Sequence, residues 1–255
     1  MTGKQPSVPE NLPAGEGSQR ERLAAYFLSA PPPGEQTAAQ QEEYRQNLTR
    51  LGELERREVL TSAGAARPLV WGNPVGLMQS LLTAAQRLAA GLGQPLLLFP
   101  AKEADIGFDT LLHPRLLSLG LMGLLTAAVA AAPRQPVWVR MQEMRYSLAL
   151  AVTATVPFAD EDTLALVKEC TRLHGGSLVH QENTLSFSCG QVSEPPPGVR
   201  LYSRPTAEEL LQDTRSPVWT GFYAPIYSSI RRSKASAPSP SGSSSASEPS
   251  ASDPT

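Results

Sequence analysis

Leu116-Leu117-Ser118-Leu119-Gly120-Leu121-Met122-Gly123-Leu124-Leu125-Thr126-Ala127-Ala128-Val129-Ala130-Ala131-Ala132 carries no charge and directly follows His113-Pro114-Arg115. His113 before Pro114 reads as a helix-entry residue, since proline is tolerated at the first helical position. A helix apolar on every side has to be buried, in a protein core or in a bilayer. The run falls short of the roughly 20 residues a bilayer requires, and about half of it is Ala, Gly, Ser or Thr. It therefore predicts a buried core helix and no membrane insertion.

Downstream of Arg134-Gln135-Pro136 the hydrophobic period changes from helical to two. Val137, Val139 and Met141 alternate with Trp138, Arg140 and Gln142, and Leu148, Leu150 and Val152 alternate with Ala149, Ala151 and Thr153. Such alternation marks half-buried strands, and a turn at Glu143–Tyr146 makes them an antiparallel hairpin. Asp160–Leu173 returns to helical spacing, with Leu164, Val167 and Cys170/Thr171 on one side, and Gly175-Gly176 ends it as a left-handed cap would. Two further strands follow, meeting at Glu182-Asn183.

Upstream, Leu69–Trp71 is a strand candidate and Asn73-Pro74 pairs a capping side chain with proline at the first helical position. That helix is expected to reach Ala90, with Leu77, Leu81, Ala84, Ala85 and Leu88 inward and Gly91 and Gly93 closing it. Leu96–Phe99 reads as a buried strand and Asp105–Phe108 as a short one. Three helices over one face of a mostly antiparallel sheet give an α+β fold, a two-layer α/β sandwich spanning residues 68–190.

Residues 1–18 read as a disordered tail without the apolar core of a signal peptide. Residues 19–64 read as a helical hairpin. Leu23, Ala24, Phe27 and Leu28 share one helix face, Pro31–Gly34 makes the turn, and Glu35–Ser62 carries Tyr44, Leu48 and Leu51 on a stripe. A hairpin this thin cannot bury both stripes alone, so pairing with a second copy or another domain is expected. In residues 191–230, Val199–Tyr202 suggests a strand and Pro205–Asp213 a helix beginning near Thr206. The aromatic residues Trp219, Phe222, Tyr223 and Tyr227 are expected to pack back onto the sandwich. Residues 231–255 are a Ser/Pro-rich tail, read as disordered.

A net charge of -2, a pI near 6.0 and no basic block exclude nucleic acid as a main partner. Cys170 and Cys189 form no CxxC pattern; both read as small buried hydrophobes in a reducing, cytoplasmic setting. His174, at a helix end, reads as a partner of the helix dipole, and His180 as a surface strand residue. Asp160, Glu161 and Asp162 read as capping residues of the following helix rather than as metal ligands.

The order apolar helix, strand pair, helix, Leu173-His174-Gly175-Gly176-Ser177-Leu178 and final strand pair resembles the ATP-binding domain of sensor histidine kinases. That is the GHKL (Bergerat) family shared with gyrase B, the ninety-kilodalton chaperones and MutL. The helical hairpin stands where those kinases carry their dimerisation and phosphoacceptor hairpin, and the resemblance covers roughly residues 20–190. It implies a dimer through the hairpin, homotypic or mixed, and a histidine kinase or response regulator as partner.

The family's chemistry does not carry over residue by residue. Its core helix has Asn-Leu-Leu-x-Asn-Ala, whose second Asn holds magnesium; here the run is Gly123-Leu124-Leu125-Thr126-Ala127-Ala128. Its Asp-x-Gly-x-Gly, whose Asp accepts from adenine, is matched by Thr153-Ala154-Thr155-Val156-Pro157. Only Phe158–Asp162 stands where the family has a glycine-rich lid, and the hairpin contains no histidine. The vestigial pocket positions are thus Gly123, Ala127, Thr153, Thr155, Gly175 and Gly176. No catalytic residue, no metal site and no cofactor are expected. The resemblance implies a kinase-like scaffold or regulator without catalysis; the alternative is an active ATP-dependent histidine kinase or ATPase using ATP with magnesium at an atypical site. An anti-sigma-type regulator is a third reading, which the hairpin disfavours.

Overall fold

In the computed structural model, residues 16–31, 35–61, 69–99, 109–144, 147–157, 161–182, 184–190 and 194–235 are described. In chain order the elements are α1 (Glu16–Ser29), α2 (Ala38–Thr61), β1 (Val70–Gly72), α3 (Pro74–Gly91), β2 (Leu96–Phe99), β3 (Thr110–Leu112) and α4 (Pro114–Ala131). There follow β4 (Val137–Met144), β5 (Ser147–Thr153), α5 (Glu161–Leu173), β6 (Leu178–Gln181), β7 (Thr184–Gly190) and β8 (Arg200–Leu201). The chain closes with α6 (Ala207–Gln212), a π-helical turn at Trp219–Tyr223 and α7 (Ala224–Ala235).

The main sheet has the order β2-β4-β5-β7-β6, antiparallel except where β2 runs parallel to β4. A smaller sheet, β3-β1-β8, pairs β1 antiparallel with β3 and parallel with β8. On β4, Val137, Val139 and Met141 are buried while Arg140 and Gln142 are exposed, and on β5 Leu150 and Val152 are buried, as the period-two pattern requires. The buried side chains of α3, α4, α5, β4 and β5 form one continuous apolar cluster. The two-layer sandwich is therefore the observed architecture.

α4 runs through the middle of that cluster. From Leu116 to Leu125 every residue is buried. By length and composition it could cross a membrane, but 78% of it lies inside the fold. Each fully buried leucine contributes about 1.5–3 kcal/mol relative to exposure, and the one charged residue of α4, Arg115, stands at its entry. His113 caps this helix: its Nδ1 accepts from the Leu116 N–H at 3.2 Å. Asn73 caps α3 in the same way, accepting from the Gly76 N–H at 3.0 Å. Thr206 and Glu209 form a capping box on α6.

Several expectations shift. α1 begins at Glu16, inside the segment read as tail, and α7 extends to Ala235, past the start of the Ser/Pro-rich segment. β4 and β5 reach Met144 and Ser147, leaving a shorter connection than Glu143–Tyr146. The strand before α4 is Thr110–Leu112; Asp105–Phe108 lies outside the described residues, as do Asp160 and the side chains of Asp162 and Cys189. The inward face of α5 is Thr163, Leu166, Val167, Cys170 and Thr171, with Leu164 only partly buried; it seats closely on the glycines of α4, described next.

Candidate functional site

The face of α4 that carries Gly123 and, one turn on, Ala127 is turned toward α5. A Cβ built at Gly120 would stand 3.3 Å from both Cβ and Sγ of Cys170, and one at Gly123 would stand 3.4 Å from Cδ2 of Leu166. Lacking side chains at these two positions, the helices approach closely, and the Leu166 methyl lies where a longer residue at 123 would project. Ala127 is 8% exposed and adds only a methyl.

Thr153, at the end of β5, bonds Thr184 on β7, hydroxyl to hydroxyl, at 2.9 Å. Thr155 lies in the exposed turn beyond it. Gly175 adopts the left-handed φ of 62° expected of a helix-ending glycine. Gly176 lies so close to the Ser188 carbonyl oxygen that a Cβ would run into it. Thr153 pairs with Thr184, and Gly176 lies beside Ser188, four residues further along β7, roughly 13 Å from that pair at strand rise.

A hard cation needs oxygen ligands, and Gly123 and Ala127 offer none beyond backbone carbonyls within the helix. Among the described residues no group of three His, Cys, Asp or Glu side chains is placed to hold a metal.

The histidines tie the two helices together. His174 is buried; its Nε2 accepts from the His113 N–H at 3.0 Å, while its Nδ1 bonds the Cys170 carbonyl at 2.7 Å. That pair of bonds fixes the neutral tautomer, with the proton on Nδ1. Burial holds its pKa below the ordinary value, against the smaller upward pull of the Cys170 carbonyl. His174 thus meets the helix end as expected, at the Cys170 carbonyl of the last turn, and does so as a neutral imidazole.

A second site lies where the hairpin meets the sandwich. Pro225 has no N–H, so the carbonyl of Gly221, one turn earlier, loses its helical partner. The chain winds as a π-turn there, with the Ala224 N–H bonding back to the Trp219 carbonyl. The Gly221 carbonyl instead accepts from Thr126 Oγ1 of α4 at 2.7 Å and from Arg56 Nη2 of α2 at 3.2 Å. One oxygen thus joins the hairpin, the core helix and the C-terminal segment. Beside it, Gly52 of α2 abuts the Thr220 carbonyl so tightly that no Cβ fits.

Charged groups complete the seam. Arg115, at the entry to α4, reaches Glu55 at 3.3 Å and Glu58 at 3.0 Å, and Glu58 also takes Arg20 of α1 at 2.8 Å. Thr220 donates to Glu55 at 3.4 Å. Burial raises the Glu55 pKa; the nearby Arg115 and Arg20 oppose this without cancelling it. Next to the seam a groove of about 520 Å³ opens between α2, the starts of α3 and α4, and α6, lined by Glu55, Arg115, Ser118, Tyr202, Asp213 and Arg215 among others.

This seam also changes the reading of the hairpin. Tyr44 and Leu48 are buried with Ala224 of α7, flanked by Tyr26, Phe27 and Ala30. Arg45 lies 3.9 Å over the ring of Tyr227. The stripe expected to pair with a second copy or another domain is covered, at Tyr44 and Leu48, by the chain's own C-terminal segment. Of the four aromatic residues expected to pack onto the sandwich, Phe222 is fully buried in the main core, with Ile226 beside it on that side of the segment. Trp219, Tyr223 and Tyr227 are half-buried, and Tyr227 meets Arg45 of the hairpin. No residue pattern read along the chain pointed to the seam, because its parts stand some 165 positions apart in sequence; Pro225 within an otherwise helical run was the one local signal.

Among solved structures the chain is similar to full-length ShkA in complex with AMPPNP (16% identity, TM-score 0.49, covering 71% of this chain and 46% of that one). It is similar also to the Acinetobacter baumannii histidine kinase AdeS (11% identity, TM-score 0.47, 70% and 96%). A third is the histidine kinase ThkA in complex with the response regulator TrrA (14% identity, TM-score 0.45, 69% and 59%). The chain spans less than half the length of ShkA. No family model and no curated protein matches the sequence.

Proposed function

We propose that this chain is a catalytically inactive, histidine-kinase-like protein that works as a scaffold or regulator in two-component-type signalling. It acts in the cytoplasm, through protein contacts, with a histidine kinase or a response regulator as the partner class. The observation that carries the reading is the closed face of α4: Leu166 of α5 lies against Gly123, and Ala127 offers only a methyl. A fold held by a continuous apolar core does not need its ligand to stand. The sandwich can therefore outlast the groups that grip a nucleotide.

Calorimetric titration with ATP and magnesium tests the proposal. No heat of binding is expected up to millimolar nucleotide, corresponding to less than about 4 kcal/mol of binding free energy. Micromolar binding would overturn the reading in favour of an active kinase or ATPase with an atypical site.

A further inference from the structure

The groove beside the seam has an apolar floor. Leu77 of α3 and Leu210 of α6 line it from the main core, and Pro114, Pro205 and Pro217 stand along its walls. At about 520 Å³ it falls within the roughly 300–1,000 Å³ of cavities that take small organic molecules. It opens at the entry of α4, whereas Gly120 and Gly123 of that helix face α5. None of the six vestigial pocket positions lines it.

The charged groups around the groove are unevenly committed. Its carboxylates have partners. Glu55 takes Arg115 and Thr220, Glu209 takes the N–H and the hydroxyl of Thr206, and Asp213 takes the Arg215 N–H. Its donors keep some in reserve. Arg115 bonds Glu55 and Glu58 through Nη2, which leaves Nε and Nη1. Arg215 meets Asp213 through Nε at 3.7 Å, which leaves both Nη atoms. The Tyr202 ring packs on the main core, burial pushes its phenol up, and no described residue bonds its hydroxyl.

A third guanidinium adds to the imbalance. Arg204 precedes Pro205 of the wall and lies on Gly76 in the first turn of α3, where any Cβ would collide with it. No described residue pairs with it there, at a helix end that already carries positive partial charge. Guanidinium forks match carboxylate and phosphate oxygens two at a time. Spare forks beside an apolar floor call for an oxyanion carried on a small apolar body.

We propose that the groove binds a small organic anion. Arg115, Arg215 and the Tyr202 hydroxyl hold its carboxylate or phosphate head, Arg204 adds positive charge beside them, and Leu77 and Leu210 receive its body. The inference goes beyond the scaffold reading and does not depend on it, because the groove shares no residue with the nucleotide-pocket positions.

Ligand-observed NMR titration of the full chain tests it, with phenyl phosphate and benzoate as anionic probes and benzyl alcohol as the neutral control. At least one anion is expected to bind with a dissociation constant of about 5 mM or below, the tighter of the two identifying the head group. Benzyl alcohol should bind at least about tenfold more weakly. Arg215→Ala alters an exposed side chain and Tyr202→Phe removes one oxygen, so both variants keep the fold. They should weaken the anion about tenfold and about threefold, while Arg140→Ala, at an exposed arginine of β4, leaves it unchanged. The proposal is overturned if neither anion reaches that affinity or if benzyl alcohol binds equally well. It is overturned too if Arg215→Ala or Tyr202→Phe leaves binding unmoved, or if Arg140→Ala weakens it as much.

Discussion

The sandwich core and the hairpin seam are built on different principles. The core is one connected body of leucines, valines and alanines from α3, α4, α5 and the main sheet. The seam is a handful of long-range contacts: a carbonyl shared by Thr126 and Arg56, an arginine between two glutamates, a glycine against a backbone oxygen. Burial is non-directional and additive, so the core does not hang on any single polar contact. The seam depends on direction and on single atoms. Fold and placement of the hairpin can accordingly fail separately.

The largest expected effect comes from the residue that serves both regions. Phe222→Ala should cost about 3–5 kcal/mol, lower the melting temperature and raise exchange in the sheet and in α2 alike. If exchange rose in α2 alone, the C-terminal segment would belong to the hairpin rather than to the core. Leu48→Ala should cost about 2 kcal/mol, but exchange should rise in α1 and α2 while β4, β5 and β7 keep their protection. Uniform loss across all of them would erase the distinction between the regions.

The smallest effect is a pH dependence confined to the core. Because the folded-state pKa of His174 is depressed, the unfolded chain binds the proton more readily. The stability this confers is fully present above about pH 6.5 and falls as pH drops below it toward the folded value. The slope from this one proton is at most about 1.4 kcal/mol per pH unit. In urea melts, His174→Gln should flatten that window; an unchanged slope would mean that His174 is not the group responsible. Glu55 works in the opposite sense. Its raised pKa means that mild acid favours the docked, protonated form, so acid in the same window should not by itself release the hairpin.

How much of this was legible along the chain follows the same division. The uncharged run of α4 beyond Arg115, the alternation of β4 and β5, the Asn73-Pro74 start and the Gly175 stop are local, and each is written in a few neighbouring residues. That Gly123 and Ala127 stand where the resemblance would place Asn was equally legible. What filled the space was not, since Leu166 meets Gly123 only once α5 has folded back onto α4. His174 was half legible: its bond to the Cys170 carbonyl follows from its place at a helix end, whereas the His113 amide it accepts from is 61 residues away. Gly52 and Arg115 gave no local sign at all, because their partners come from other segments.

Pro225 is a defect by the standards of an isolated helix, since it strands an acceptor that a regular turn would use. Here the stranded oxygen becomes a mooring point for two other segments, and irregularity in one element is what orients its neighbours. Pro225→Ala should therefore make the terminal helix more regular and the molecule less well aligned. The oxygen would turn inward to its own strand of helix, and both Thr126 and Arg56 would be left to find water.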